Sequence, residues 1–271
     1  MVEEEYVLGI RSIDTEIGIV TDSKQAKEYL ENNREIEENV PEVEYGHPED
    51  PEFMVEYFSE REPELDFWPD RGKIILEGKY GEEVRKNDLP RLIIPAFARL
   101  HNQKDRNLYG AGSVKGESSA LIIGEKKEEE LQLVRNLCES GTRYISGKKS
   151  LLNSDSEIIG KTRNREGYRT AEVPSEIDRI YFIDIKPDSK LETDVKNESE
   201  SIDRLLEETD RTIRTTGTTV MNSRKPLPSF DSQRLSEKRL ENTIQTVRNT
   251  DIMDFQGSLE DVTRYIRQEM A

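Results

Sequence analysis

Residues 120–146 read ALIIG, EKKEEELQLVRNLCES and GTRYIS: a short apolar run, an amphipathic segment and a second short run. The wholly apolar residues 120–124 are typical of a strand buried on both faces. From about residue 128, apolar side chains recur at helical spacing, and Gly141 stands at a natural C-cap position. Residues 142–146 then predict a second strand. Together they predict a strand–helix–strand unit, the smallest piece of a parallel sheet.

The same criteria predict an α/β fold for the rest of the chain. Further strands are predicted at 6–13, 17–20, 73–78, 108–114, 150–152, 157–159 and 179–185, and further helices at 24–33, 89–101, 201–213, 235–247 and 258–266. We expect Pro95 to end or kink the helix that contains it. The acidic, proline-rich residues 34–72 predict a mostly irregular segment.

The charge of the chain is concentrated in its first quarter. The chain has 271 residues and a formal net charge of −17. Residues 1–70 hold 22 acidic and 5 basic residues, so this part alone carries −17 and the remaining 201 residues are neutral. This asymmetry predicts a small acidic α/β module at 1–85 and a second domain at 90–271. The acidic surplus is either a docking face for a basic protein partner or a solvated surface, and it argues against nucleic acid as a partner.

Composition excludes several classes of protein. The single cysteine, Cys138, excludes an intrachain disulfide, and with only two histidines we predict no metal site. The apolar stretches are too short for a membrane span, and the acidic N-terminus is unlike a signal peptide. We therefore expect a cytoplasmic protein without a membrane association. The oligomeric state stays open, with a homo-oligomer among the options.

The strand–helix junction at Gly124 has the outline of a phosphate-binding loop but not its residues. A working loop follows the pattern G-x-x-x-x-G-K-[ST], in which backbone N–H groups and the lysine hold phosphates. Here Glu129, Glu130 and Leu131 stand at the last three positions. Glutamates in the first turn of a helix suit its dipole and would fill the anion site themselves. Alternatively, three lysines replace the missing phosphate ligands: Lys126, Lys127 and Lys148.

The order and spacing of these elements resemble a known family. Over residues 90–270, the predicted elements resemble in order the catalytic domain of HPr kinase/phosphorylase and related serine-kinase-like proteins. The segments that follow this order are 108–114, 120–124, 142–146, 180–184 and 251–267. The resemblance implies a mixed-sheet P-loop domain. That family carries a histidine near Tyr109 or Gly110 and an acidic pair where Gly147 and Lys148 stand here.

The resemblance therefore implies a family member that has lost phosphotransfer. Such a protein is a non-catalytic binding or regulatory protein of the pseudokinase type, with a protein partner and no cofactor. The alternative is an active ATP-dependent phosphotransferase that uses ATP and Mg through an unorthodox loop.

A second candidate site lies in residues 160–170. Four basic side chains occur there within nine positions: Lys161, Arg163, Arg165 and Arg169. This spacing predicts either an anion-binding segment, for a small ligand, RNA or the acidic module, or an ordinary exposed hairpin.

Overall fold

The computed structural model describes residues 5–58, 65–77, 88–187, 189–195, 197–214 and 230–271. The chain forms two compact units. The first comprises Met1–Lys104 and Arg211–Leu235, and the second comprises Asp105–Asp210 and Ser236–Ala271. Residues 90–104 thus group with the first unit. The domain boundaries at 85 and 90 stay a prediction.

Within its described residues, the first unit contains a six-stranded sheet and three α-helices. Its strands are β1 (Tyr6–Ser12), β2 (Thr15–Thr21), β3 (Val43–Gly46), β4 (Phe53–Phe58), β5 (Leu65–Trp68) and β6 (Lys73–Glu77), in the order β3-β1-β2-β4-β6-β5. Its helices are α1 (Lys24–Leu30), α2 (Arg34–Asn39) and α3 (Pro90–Gln103). β1 and β2 form an antiparallel hairpin, whereas β4 lies parallel to both β2 and β6.

The prediction of a mostly irregular segment at 34–72 is wrong. This segment contains α2, β3, β4 and β5. In β4, buried Phe53, Val55 and Tyr57 alternate with partly exposed residues, as expected of a strand that packs one face on a core. The prolines at 41, 48 and 51 lie in the connections before and after β3, where they interrupt no ladder.

Helix α3 runs through Pro95 to Gln103, so the proline does not end the helix, and the alternative that it kinks the helix stays a prediction. Pro95 cannot donate the backbone hydrogen bond that would reach the carbonyl of Arg91. Arg91 lies in the first turn, so the missing bond falls near the start of the helix and not in its middle. The helix therefore tolerates the proline near its start.

The second unit is built on a six-stranded mixed sheet and a four-stranded antiparallel sheet. The six-stranded sheet has the order β10 (Arg143–Ser146), β8 (Gly112–Lys115), β9 (Ser119–Gly124), β14 (Arg179–Ile185), β16 (Asp251–Gly257) and β15 (Glu192–Val195). The four-stranded sheet has the order β13 (Ser175–Glu176), β12 (Glu157–Ile158), β11 (Ser150–Leu152) and β7 (Asn107–Tyr109). The helices are α4 (Lys127–Glu139), α5 (Glu198–Arg214), α6 (Gln233–Asn249) and α7 (Leu259–Glu269).

Helices cover both faces of the six-stranded sheet. Strands β9, β14 and β16 are parallel, and they contribute alternate side chains to two hydrophobic clusters. One cluster contains Leu133 of α4 and Val262 of α7, and the other contains Leu205 of α5 and Val247 of α6. The arrangement is a helix–sheet–helix layering, and the predicted α/β class is confirmed.

The observed strands differ from the predicted ones in residues 108–114 and in the order of β8, β9 and β10 within the sheet. Residues 108–114 form two strands rather than one, because β7 joins the small sheet and β8 joins the large one. β9 and β10 run in the same direction, as predicted, but β8 lies between them and pairs antiparallel with both. The predicted end of α4 is confirmed, since Gly141 has a φ of +109° just after the helix.

Candidate functional site

The candidate site lies at the carboxyl end of β9. Gly124 ends this strand, and α4 begins only three residues later at Lys127. The start of β8 and the end of β10 reach the same edge, because Gly112 pairs with Ile122 and Ser113 pairs with Ser146. The connections before β8, after β9 and after β10 therefore meet at one place.

Glu130 turns back from the first turn of α4 onto this edge. Its side chain is fully buried. Its Oε2 atom accepts a hydrogen bond from the backbone N–H of Gly124 at 3.1 Å and another from Lys127 Nζ at 3.0 Å. The carboxylate thus accepts from the last backbone N–H of β9.

Lys127 joins three segments of the second unit. Its ammonium donates to Glu130, to the Oε2 atom of Glu208 at 2.9 Å, and to the carbonyl oxygen of Gly110. Glu208 is buried on α5, and Gly110 precedes β8. One ammonium thereby ties α4, α5 and the connection from β7 to β8.

Lys149 completes what we name the Lys127 cluster, which consists of Lys127, Glu130, Glu208 and Lys149. Burial raises the pKa of Glu130 to about 7, and its attraction to Lys127 opposes that rise. Burial and repulsion by Lys127 lower the pKa of Lys149 to about 8, while Glu208 and Glu130 oppose that fall. Two members of the cluster therefore change charge close to neutral pH.

Gly110 allows the cluster to pack closely. A Cβ atom at this position would lie 2.5 Å from the Oε2 atom of Glu208 and 3.5 Å from Lys127 Nζ. A side chain at this position would force the Glu208 carboxylate to move from its place beside Lys127.

The structure brings together some of the predicted loop residues and not others. Gly124 and Lys127 meet through Glu130. Lys126 instead pairs with Glu129 at 2.8 Å on the surface, and this hydrogen bond raises the pKa of Lys126. Lys148 lies half-buried, two residues beyond β10. Glu128 is exposed, so of the three glutamates only Glu130 enters the site.

The sequence reasoning missed Glu208 and Lys149. Glu208 carried a usable signal, because it occupies a position on the buried face of α5 together with Ser201, Leu205 and Thr212. A carboxylate on such a face predicts a buried cation partner. Lys149 carried no comparable local signal.

The basic residues at 161–169 lie in an irregular connection between β12 and β13. Hydrogen bonds from Thr162 N to the carbonyl of Ile145, and from Tyr144 N to the carbonyl of Arg169, attach both ends of this connection to β10. The side chains of Arg163, Arg165 and Arg169 are exposed, and Lys161 is half-buried. Thr162 Oγ1 also donates to Ser146 Oγ at 3.1 Å, so this connection is held to the end of β10.

The part of the chain that the structure describes offers no metal site and no reactive thiol. It contains no group of three or more His, Cys, Asp or Glu side chains placed to hold a metal ion. None of its helices is long and apolar enough to span a membrane. Burial raises the pKa of Cys138 to about 11, so its thiol stays protonated and is a poor nucleophile.

Comparison with known proteins adds no family. No protein-family model matches the chain, and no curated protein is similar to it in sequence.

Proposed function

We propose that the chain is a non-catalytic binding or regulatory protein built on an HPr-kinase-like frame, in which Glu130 replaces a nucleotide phosphate. The observation that carries this proposal is the pair of hydrogen bonds from Gly124 N and Lys127 Nζ to the Glu130 carboxylate. A backbone N–H at the end of a strand and a lysine ammonium are the groups that hold phosphate oxygens in a phosphate loop. Here an internal anion already uses both.

Electrostatics supports an occupied rather than a vacant anion site. A phosphate oxygen at Gly124 would lie near the Glu130 carboxylate, and two like charges 4 Å apart repel by about 1–4 kcal/mol, depending on screening. Glu208 adds a second carboxylate to the same ammonium. Lys127 is therefore already neutralised, and a nucleotide gains little from it.

The length of the connection also argues against phosphate binding. The loop pattern requires four residues between its two glycines, whereas α4 begins after only Glu125 and Lys126. The backbone N–H of Glu125 donates to the carbonyl of Ile183 at 3.4 Å. The connection is too short to wrap around a triphosphate. The backbone N–H groups of Gly124 and Glu125 already donate hydrogen bonds within the chain.

The remaining parts of the proposal concern partners and location. With a net charge of −17, the chain favours a protein partner with a basic surface over a nucleic acid. A single, buried cysteine suits the reducing cytoplasm. We place the protein there on this ground.

Calorimetric titration of the full chain with Mg-ATP tests the proposal. We expect no saturable heat up to about 1 mM nucleotide, which corresponds to less than about 4 kcal/mol of binding free energy. The alternative, an active phosphotransferase, predicts micromolar binding that Lys127→Ala abolishes and Glu128→Ala leaves unchanged. That result would overturn the proposal.

A further inference from the structure

The connection that carries the basic residues has a fixed shape. The side chain of Asn164 bonds the main chain of Tyr168 twice, since its Nδ2 donates to the carbonyl oxygen and its Oδ1 accepts from the N–H at 3.2 Å. Gly167, within the resulting turn, has a φ of +75°. We name residues 161–169 the arginine loop, and the paired residues Asn164 and Tyr168 close it.

Two of the four basic residues of the arginine loop, Arg163 and Arg169, are available to a partner. Arg163 precedes Asn164 and Arg169 follows Tyr168, so the two arginines flank the residues that close the loop. Both are exposed, and neither forms an ion pair with any residue in the described ranges. The loop's single acid, Glu166, is engaged by Arg135 at 2.9 Å. Exposed guanidinium groups are well suited to bind carboxylates in a bidentate manner.

The loop lacks what a nucleic-acid surface needs. Its single aromatic residue, Tyr168, packs against the hydrophobic core, with its ring centroid 6.4 Å from that of Tyr144. The loop therefore offers no fully exposed ring on which a base could stack. Three or four cations also give a weak phosphate contact on a chain with a net charge of −17.

The chain itself carries a complementary surface. Residues 35–50 contain seven acidic residues and neither lysine nor arginine. They include β3, which lies at the edge of its sheet. Glu35, Glu44 and Asp50 are exposed, and their carboxylates form no ion pair with residues that the structure describes. We name residues 35–50 the acidic edge.

We propose that the arginine loop of one copy docks on the acidic edge of a second copy of this chain. The two surfaces differ, so the contact is head-to-tail, and each bound copy still offers one free surface of each kind. Association then grows to short chains or closes into a ring. Because the contact is between exposed charges, we expect it to be weak and sensitive to salt.

Sedimentation velocity of the full chain tests this proposal. In about 20 mM salt the Debye length is about 20 Å, and we expect the weight-average sedimentation coefficient to rise with protein concentration. In about 500 mM salt the length falls to about 4 Å, and we expect a monomer. The variant R163E/R169E should weaken low-salt association at least about tenfold. The matched control R248E/R264E makes the same change in net charge at two exposed arginines elsewhere in the second unit, and it should associate like the wild type.

Mixing of complementary variants identifies the two surfaces. R163Q/R169Q keeps the acidic edge, and E35Q/E44Q keeps the arginine loop, and because the changed surfaces are neutral they do not attract one another, so each variant alone should be monomeric. Their mixture should form a dimer and nothing larger. A wild type that is monomeric in low salt, or association that R163E/R169E leaves intact, overturns the proposal. Tight binding of a fluorescent RNA oligonucleotide that R163E/R169E abolishes, without self-association, overturns it as well.

Discussion

At the scale of single residues, Glu130 shows how position decides the behaviour of a side chain. Glu129, its neighbour, pairs with Lys126 at the surface. Glu130 is buried, and its Oε1 atom accepts no hydrogen bond within the described part of the chain. Burial of a carboxylate is costly, and one ammonium shared with Glu208 offsets only part of this cost. The other oxygen of Glu130, Oε2, accepts from Gly124 N and Lys127 Nζ, and these two donors hold the carboxyl group at the end of β9.

The raised pKa of Glu130 predicts a pH dependence of stability. Burial raises the pKa of Glu130 from its ordinary value of 4.5 to about 7, so the folded chain binds the Glu130 proton more tightly than the unfolded chain does. Between pH 4.5 and about pH 7, the contribution of this group to the free energy of unfolding therefore falls as the pH rises. The full effect is about 3 kcal/mol. Glu130→Gln cannot ionise and should lose this slope, as measured by urea unfolding between pH 5 and pH 7.5. Glu128→Gln, at an exposed position, should keep the slope of the wild type. A wild-type slope in Glu130→Gln contradicts the assignment.

Lys149 acts in the opposite direction at higher pH. Its pKa is lowered from 10.5 to about 8, so the unfolded chain binds the Lys149 proton more tightly, and stability should rise again above about pH 8. The Lys127 cluster therefore contributes least to stability between about pH 7 and pH 8.

The sequence predicted part of this site and could not predict the rest. Three consecutive glutamates in the first turn of a helix predicted a carboxylate in the anion position. Which of the three it would be depends on where the helix begins: it begins at Lys127, and this start directs Glu130 inward. Glu208 and Lys149 come from a distant helix and from another connection, and only the tertiary fold places them.

At the scale of helices and strands, the local sequence pattern predicted an element correctly where its capping residues and its hydrophobic periodicity agreed. The predicted strand at 179–185 is β14, and the predicted cap of α7 is present, since the Ser258 hydroxyl accepts from Asp261 N at 3.2 Å. Prediction failed at 34–72 and at 108–114. In residues 34–72 the many prolines wrongly indicated irregular structure, although they lie in the connections between strands. In residues 108–114 the continuous run of small residues gave no sign of where one strand ends and the next begins.

The contact between α5 and the connection from β7 to β8 depends on Gly110. In Gly110→Ala the new methyl group would displace Glu208 from Lys127 or push α5 away. We expect a loss of about 1–3 kcal/mol in the free energy of unfolding, measured by urea titration. Gly46→Ala is the matched control, because a Cβ atom at Gly46 meets no atom within 4 Å. Equal stability of the two variants would contradict this role of Gly110.

At the scale of the whole molecule, the chain returns to its first unit after building most of the second. Phe230 belongs to this returning segment: its ring lies 5.9 Å from that of Phe53, and its carbonyl accepts from buried Arg99 at 2.6 Å. A composition shift marks where a module ends along the chain, but it cannot show that a later segment folds back. For this reason the sequence could not predict that Arg211–Leu235 groups with the first unit.

The central claim is that the Glu130 carboxylate, and not a ligand, satisfies the N–H of Gly124. The most direct test follows the amide resonance of Gly124 in the glycine-labelled chain from pH 5 to pH 9, with and without Mg-ATP. The resonance should shift with an inflection near pH 7, lose that inflection in Glu130→Gln, and stay unmoved by nucleotide. A Gly124 amide resonance that does not shift with pH, and that shifts on addition of Mg-ATP, would contradict the claim.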